Sequence, residues 1–113
     1  LLKQPKRRKH MKNSRHVLIS VAAYFHESPE TLTGPSRFAS ATIPRYIAMK
    51  LMRENLHLSL QQIGRVFRRT HSTVYSGLNH LDGILAKRPD LVCNYNELQQ
   101  RLFGTISNTE ESK

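Results

Sequence analysis

Ser59-Leu60-Gln61-Gln62-Ile63-Gly64-Arg65-Val66-Phe67-Arg68-Arg69-Thr70-His71-Ser72-Thr73-Val74 is the stretch on which the reading of this chain turns. Ser59 followed three residues later by Gln62 is a capping-box pattern, in which each residue satisfies the other's free backbone N–H. It opens a short helix with Leu60, Ile63 and Phe67 facing inward. Gly64 sits in that helix at a cost of about 1 kcal/mol relative to alanine, so close packing against another helix is expected there. After Arg68-Arg69, Thr70 is placed to cap a second helix with Val74, Leu78, Leu81 and Leu85 on one face, ending before Pro89. Two helices joined by a turn of a few residues make a helix-turn-helix candidate.

Outward from this unit the helical period continues. Val17, Leu18, Val21, Tyr24 and Phe25 predict a helix over about 15–26 with Ser14 as its cap. Ser28-Pro29-Glu30 supplies a cap, a first-turn proline and an acid for a short turn that Gly34-Pro35 ends. A polar loop is expected over 36–42. Ile43, Ile47, Ala48, Leu51 and Met52 then predict a helix over about 43–55, with Pro44 tolerated because it would lie in the first turn. Leu91, Tyr95, Leu98 and Leu102 give a last helix within 90–103 that closes the bundle. No segment alternates with period two, so the fold class is all-α, a small helical bundle containing a helix-turn-helix. The expected organisation is a basic flexible arm over 1–13, a helical domain over 14–104 and a disordered tail over 105–113.

The chain has 113 residues, 18 Lys+Arg against 8 Asp+Glu and a formal charge of +10. That length holds one modest core and excludes a large multidomain enzyme. The single cysteine, Cys93, excludes an internal disulfide framework and suits a reducing compartment. No stretch approaches the roughly 20 apolar residues of a membrane span, and the basic N-terminus lacks a following apolar signal core. A cytoplasmic, nucleoid-associated protein is the expectation. A chain that begins at Leu1 is either a piece of something longer or starts properly at Met11. Both readings stay open.

Charge is unevenly placed. Lys3, Lys6, Arg7, Arg8, Lys9, Lys12 and Arg15 precede the first acid, Glu27, in a run of the kind that is usually solvated. Pro5-Lys6-Arg7-Arg8-Lys9 also resembles a nuclear localisation signal, although in a bacterial cell an arm tracking DNA nonspecifically is the preferred reading. Arg37, Arg45, Lys50, Arg53, Arg65, Arg68 and Arg69 face one acid, Glu54, within a stretch that looks folded, which calls for a polyanionic partner. In a helix-turn-helix the second helix brings its N-terminal residues to base edges in the major groove. Those residues are Arg69, Thr70, His71, Ser72 and Thr73, whose guanidinium, hydroxyl and methyl groups suit base edges.

Taken in order, Val21-Ala22-Xaa-Tyr24-Phe25, Arg37, Pro44-Arg45-Xaa-Ile47-Ala48-Met49-Xaa-Leu51, Ser59-Leu60-Xaa-Xaa-Ile63-Gly64-Xaa-Xaa-Phe67 and Arg69-Thr70-His71-Ser72-Thr73-Val74 resemble the C-terminal DNA-binding domain of the bacterial replication initiator DnaA. The resemblance covers about 17–84. It implies a Trp-repressor-like helix-turn-helix and double-stranded DNA carrying a DnaA box as the partner. It also implies that Arg37 enters the minor groove, that Arg69, His71, Ser72 and Thr73 address the major groove, and that Arg45 and Arg53 lie near phosphates; Arg68, from its place at the turn, and Ser59 are assigned to phosphates as well. Two departures bear on aim and preference. The family places two glycines between the Phe and the Arg, where this chain has Arg68 alone, and an acid where this chain has Thr70. The family's ATPase module is absent, since no glycine here is followed by Lys.

Other classes fit less well. No second His, Cys or acid stands at ligand spacing from His71, so no metal or other cofactor is expected. No acid pair or Cys-His arrangement suggests a nuclease or transposase, and an enzyme is not expected. A stand-alone transcriptional regulator with its own site, or a basic module binding DNA nonspecifically or acidic phospholipid, are the alternatives. Binding as a monomer on DNA is the simplest expectation. Tyr24, Phe25 and Phe67 fall on apolar faces and are assigned to the core.

Overall fold

The computed structural model describes residues 13–104. The basic arm, apart from Asn13, and the C-terminal tail lie outside the described residues. Six helices follow one another and no strand occurs among the described residues: α1 (Ser14–Tyr24), α2 (Pro29–Thr33), α3 (Ala39–Asn55), α4 (Leu60–Phe67), α5 (His71–Lys87) and α6 (Pro89–Phe103). The fold is all-α, as the periodicity requires.

The helix ends are set by side chains read above and by some that were not. Ser28 caps α2, and the Ser59/Gln62 capping box opens α4 with Ser59 Oγ 3.0 Å from the Gln62 N–H. Thr70 caps α5 through the Thr73 N–H. At α1 the cap is Asn13 and not Ser14: its Oδ1 accepts the His16 N–H at 3.1 Å. That helix also stops at Tyr24, two residues early, because His26 turns into the left-handed region. His57 after α3 and Arg68 after α4 do the same. A non-glycine residue costs about 1–2 kcal/mol in that region.

Helix α3 starts at Ala39, four residues earlier than the apolar stripe predicts. The Phe38 carbonyl accepts the N–H groups of both Ala41 and Thr42 at 2.9 Å, which winds the first turn out of the expected loop. Pro44 therefore lies inside the helix and not in its first turn. It has no N–H for the Ser40 carbonyl, but Ser40 is exposed and water can take that place.

Helix α3 is the hub of the core. Ile47, Ala48, Met49, Leu51 and Met52 are fully buried and meet Val17 and Val21 of α1, Leu32 of α2, Ile63 and Phe67 of α4, Val74 and Leu81 of α5, and Leu98 of α6. Polar contacts fix α6 across the bundle. Tyr95 donates to Glu54 at 2.7 Å, Gln99 to Asn55 at 3.0 Å and Tyr24 to Glu97 at 2.7 Å. Phe67 is core, and Tyr24 and Phe25 are half-buried against it.

Candidate nucleic-acid interface

The two helices of the sequence motif pack side by side, joined by the turn Arg68-Arg69-Thr70. Gly64 makes that turn possible. A Cβ on Gly64 would collide with the Arg69 carbonyl, so the close approach inferred from the sequence is to the turn's own backbone and not to another helix. The Arg69 N–H closes on the Gly64 carbonyl at 2.8 Å. Arg68 absorbs the change of direction at φ 59°, in the region glycine normally occupies. One left-handed residue thus reverses the chain where the resemblance leads one to expect a pair of glycines.

Beyond the turn, His71, Ser72 and Thr73 are exposed on the first turn of α5. One turn along the same face, Tyr75 is 58% exposed, an aromatic position that the sequence reading passed over. Thr70 is exposed too, but its hydroxyl is engaged as the cap and lies 3.0 Å from Thr73 Oγ1. Gly77 lets α5 lie close to α3: a Cβ there would stand 2.8 Å from the Tyr46 ring.

The loop before α3 comes to the same side. Gly34, Pro35, Ser36 and Arg37 join Arg68, Arg69, Thr73, Tyr46 and His80 around an open cleft of about 740 Å³. Arg37 and Arg68 are exposed at this cleft and none of its lining residues is acidic, so the opening is electropositive. Sequence positions more than 30 apart are thereby brought to one concave basic surface.

Two of the arginines assigned to DNA hold the protein itself together. Arg45 is only 3% exposed. Its Nε donates to the Leu32 carbonyl at 2.6 Å, and its Nη2 to the carbonyls of Gly34 at 3.1 Å and Thr31 at 3.3 Å. Burial, then the neighbouring Arg69 charge, lowers its pKa from the ordinary arginine value, although arginine stays charged near neutrality. This buried position does not fit the expected place at a phosphate, because the guanidinium is taken up by the carbonyls of Thr31, Leu32 and Gly34 at the end of α2. Arg69 is half-buried and donates to Phe67 O at 2.6 Å and Gly34 O at 2.7 Å. Its guanidinium bridges the turn to the Arg37 loop, whereas the sequence reading placed it at a base edge.

The remaining phosphate candidates lie outward. Arg53 is exposed and donates to the Leu58 carbonyl at 2.8 Å, next to the start of α4. Ser59 accepts the capping bond with its oxygen and keeps its hydroxyl proton for another acceptor. The family of bacterial dnaA protein helix-turn-helix segments matches residues 15–80 of this chain, more than half of its length. The chain belongs to that DnaA family.

Membership accords with the geometry, for the match runs from α1 into α5 and includes α4, the turn and the first part of α5. Among curated relatives, chromosomal replication initiator protein DnaA 1 of Chlamydia muridarum is 37% identical over 97 residues, which is 83% of this chain and 21% of that protein. DnaA of Deinococcus radiodurans is 34% identical over 88 residues, 78% of this chain and 19% of that protein. DnaA 2 of Chlamydia caviae is 42% identical over 62 residues, 55% of this chain and 14% of that protein. The chain spans about a fifth of the length of the first two relatives. As a DnaA-type helix-turn-helix it is a DNA-binding domain of bacterial type. No described helix is long and apolar enough to cross a membrane.

Proposed function

We propose that this DnaA-type domain recognises a DnaA-box-like site in double-stranded DNA, in chromosomal replication initiation or its regulation, and acts as a binding module and not as an enzyme. The observation that carries the reading is the convergence of an exposed α5 first turn and the Arg37 loop on one basic cleft. Helix α5 enters the major groove with His71, Ser72 and Thr73 at base edges, and Arg37 follows the adjacent minor groove, where an arginine reads width and A·T content. Arg53, Arg68 and the Ser59 end of α4 meet phosphates, which supply most of the affinity. Arg69 acts as the tie that holds the Arg37 loop beside α5. The setting is the bacterial cytoplasm and the nucleoid.

The test is a fluorescence-anisotropy titration at about 150 mM salt with a duplex carrying a DnaA box and the same duplex scrambled. The box is expected to bind at least tenfold tighter, about 1.4 kcal/mol. His71→Ala should lose about 1–3 kcal/mol on the box and little on the scrambled duplex. His71 is a cleaner probe than Thr73, whose hydroxyl also contacts the Thr70 cap. Equal affinity of the wild-type domain for both duplexes would overturn the reading.

A further inference from the structure

We propose that Phe38 is an apolar wedge that enters the minor groove beside Arg37 and partly unstacks one base step; the inference rests on the duplex-binding reading above. Phe38 is 77% exposed, the most exposed of the large apolar side chains among the described residues. It stands at the N-cap of α3, where it makes no capping bond, although Asn13, Ser28, Ser59 and Thr70 all supply one at their helices. An apolar ring thus occupies a position that favours a short polar side chain.

Its backbone, by contrast, is held on both sides. The Phe38 N–H donates to Ser36 Oγ at 3.3 Å, and its carbonyl takes the Ala41 and Thr42 N–H groups. A ring in water on a fixed mount loses little further backbone freedom when it inserts. Next to it is Arg37, on the cleft where Arg68 and Arg69 also lie, so the local field suits DNA and not a membrane's hydrocarbon or an apolar protein groove. Minor-groove proteins pair an arginine with an inserted Phe or Leu in this way, and the kink draws more backbone onto the protein.

The experiment uses the whole chain with box and scrambled duplexes that carry 2-aminopurine in the A·T stretch facing Arg37. Wild type is expected to brighten the 2-aminopurine severalfold on the box. Phe38→Ser should abolish the brightening and weaken box binding about fivefold to tenfold, while Phe38→Leu keeps part of both. Serine can also cap α3, so the melting temperature of Phe38→Ser should hold or rise, which separates lost wedging from lost fold. Box preference without brightening, or brightening unchanged in Phe38→Ser, overturns the wedge and leaves the binding reading intact. Brightening that depends on Phe38 but not on sequence keeps the wedge and overturns the box. Binding to neither duplex overturns both, and concentration-dependent self-association lost in Phe38→Ser would assign the ring to a second copy of this chain instead.

Discussion

Replacing Arg45 by alanine separates two roles for one side chain. As a phosphate contact, Arg45 would contribute to DNA affinity and little to stability; as a buried strut, it does the reverse. The magnitude follows from its three acceptors. The Nε bond to Leu32 O at 2.6 Å is buried and charge-assisted, and such bonds contribute about 1.5–3 kcal/mol. The two Nη2 bonds share one nitrogen at 3.1 and 3.3 Å and are only partly buried, so together they add about 1 kcal/mol. Removing the guanidinium also relieves its own desolvation and its repulsion with Arg69. A net loss of about 2–3 kcal/mol remains, which lowers Tm by about 8–24 °C in a domain of this size.

Thermal denaturation followed by circular dichroism checks the stability, and anisotropy well below the lowered Tm checks the affinity. The strut predicts a lower Tm with an unchanged slope of log Kd against log salt. An unchanged Tm with that slope reduced by about 0.9, the signature of one lost phosphate contact, would refute the assignment.

Arg68→Gly should shift stability and binding in opposite directions. Relieving the left-handed residue raises stability by about 0.5–1 kcal/mol, while losing the exposed cation weakens box and scrambled duplexes alike in anisotropy titrations. Thr70→Asp should keep the α5 cap, so Tm holds, and selection from a random duplex pool should then show a changed preference at one base pair, since a carboxylate accepts from cytosine N4. Stability against pH should fall at both extremes. Burial opposes ionisation of Glu54, but the hydrogen bonds from Lys50 and Tyr95 outweigh it and lower its pKa. A carboxylate depressed in the fold stabilises fully above the usual carboxylate range and loses that contribution as pH falls through its folded value. Tyr95 is displaced the other way. Burial, then its bond to Glu54, raises the phenol above its ordinary 10.0, so stability falls as pH rises past 10.0. Tyr95→Phe should flatten that alkaline limb in melts across pH, and an unchanged limb would refute the assignment.

The helix-turn-helix was legible because its determinants are local. The Ser59/Gln62 box, the Thr70 cap and the Ile63, Phe67, Val74 and Leu81 stripe each act within a few residues, and each is found where periodicity and capping place it. What escaped involves partners distant in sequence. Nothing near Arg45 in the chain reveals that carbonyls 11 to 14 residues earlier will enclose it. A count of charge treats it as surface for that reason. The sequence implies a close approach at Gly64 but not its partner, because the Arg69 carbonyl reaches it only after Arg68 has turned the chain. Pro44 misplaced the start of α3 because proline favours a first turn, and an exposed Ser40 removes the penalty for placing it later. Phe38 falls in the expected polar loop and Tyr75 beside the apolar stripe of α5, and their exposure is visible only in three dimensions.

One oxygen joins the parts of the interface. The Gly34 carbonyl accepts from Arg45 on α3 and from Arg69 in the turn, so the loop carrying Arg37, the hub helix and the start of α5 share a single joint. Two cations converge there because a carbonyl has two lone pairs, but they repel, and after burial that repulsion is the second cause that lowers the pKa of Arg45. On the proposed binding mode, a phosphate entering the cleft would weaken that repulsion. The spacing between the Arg37 loop and His71 is then set by the protein before DNA arrives, which is how a turn with a single left-handed residue holds a fixed aim.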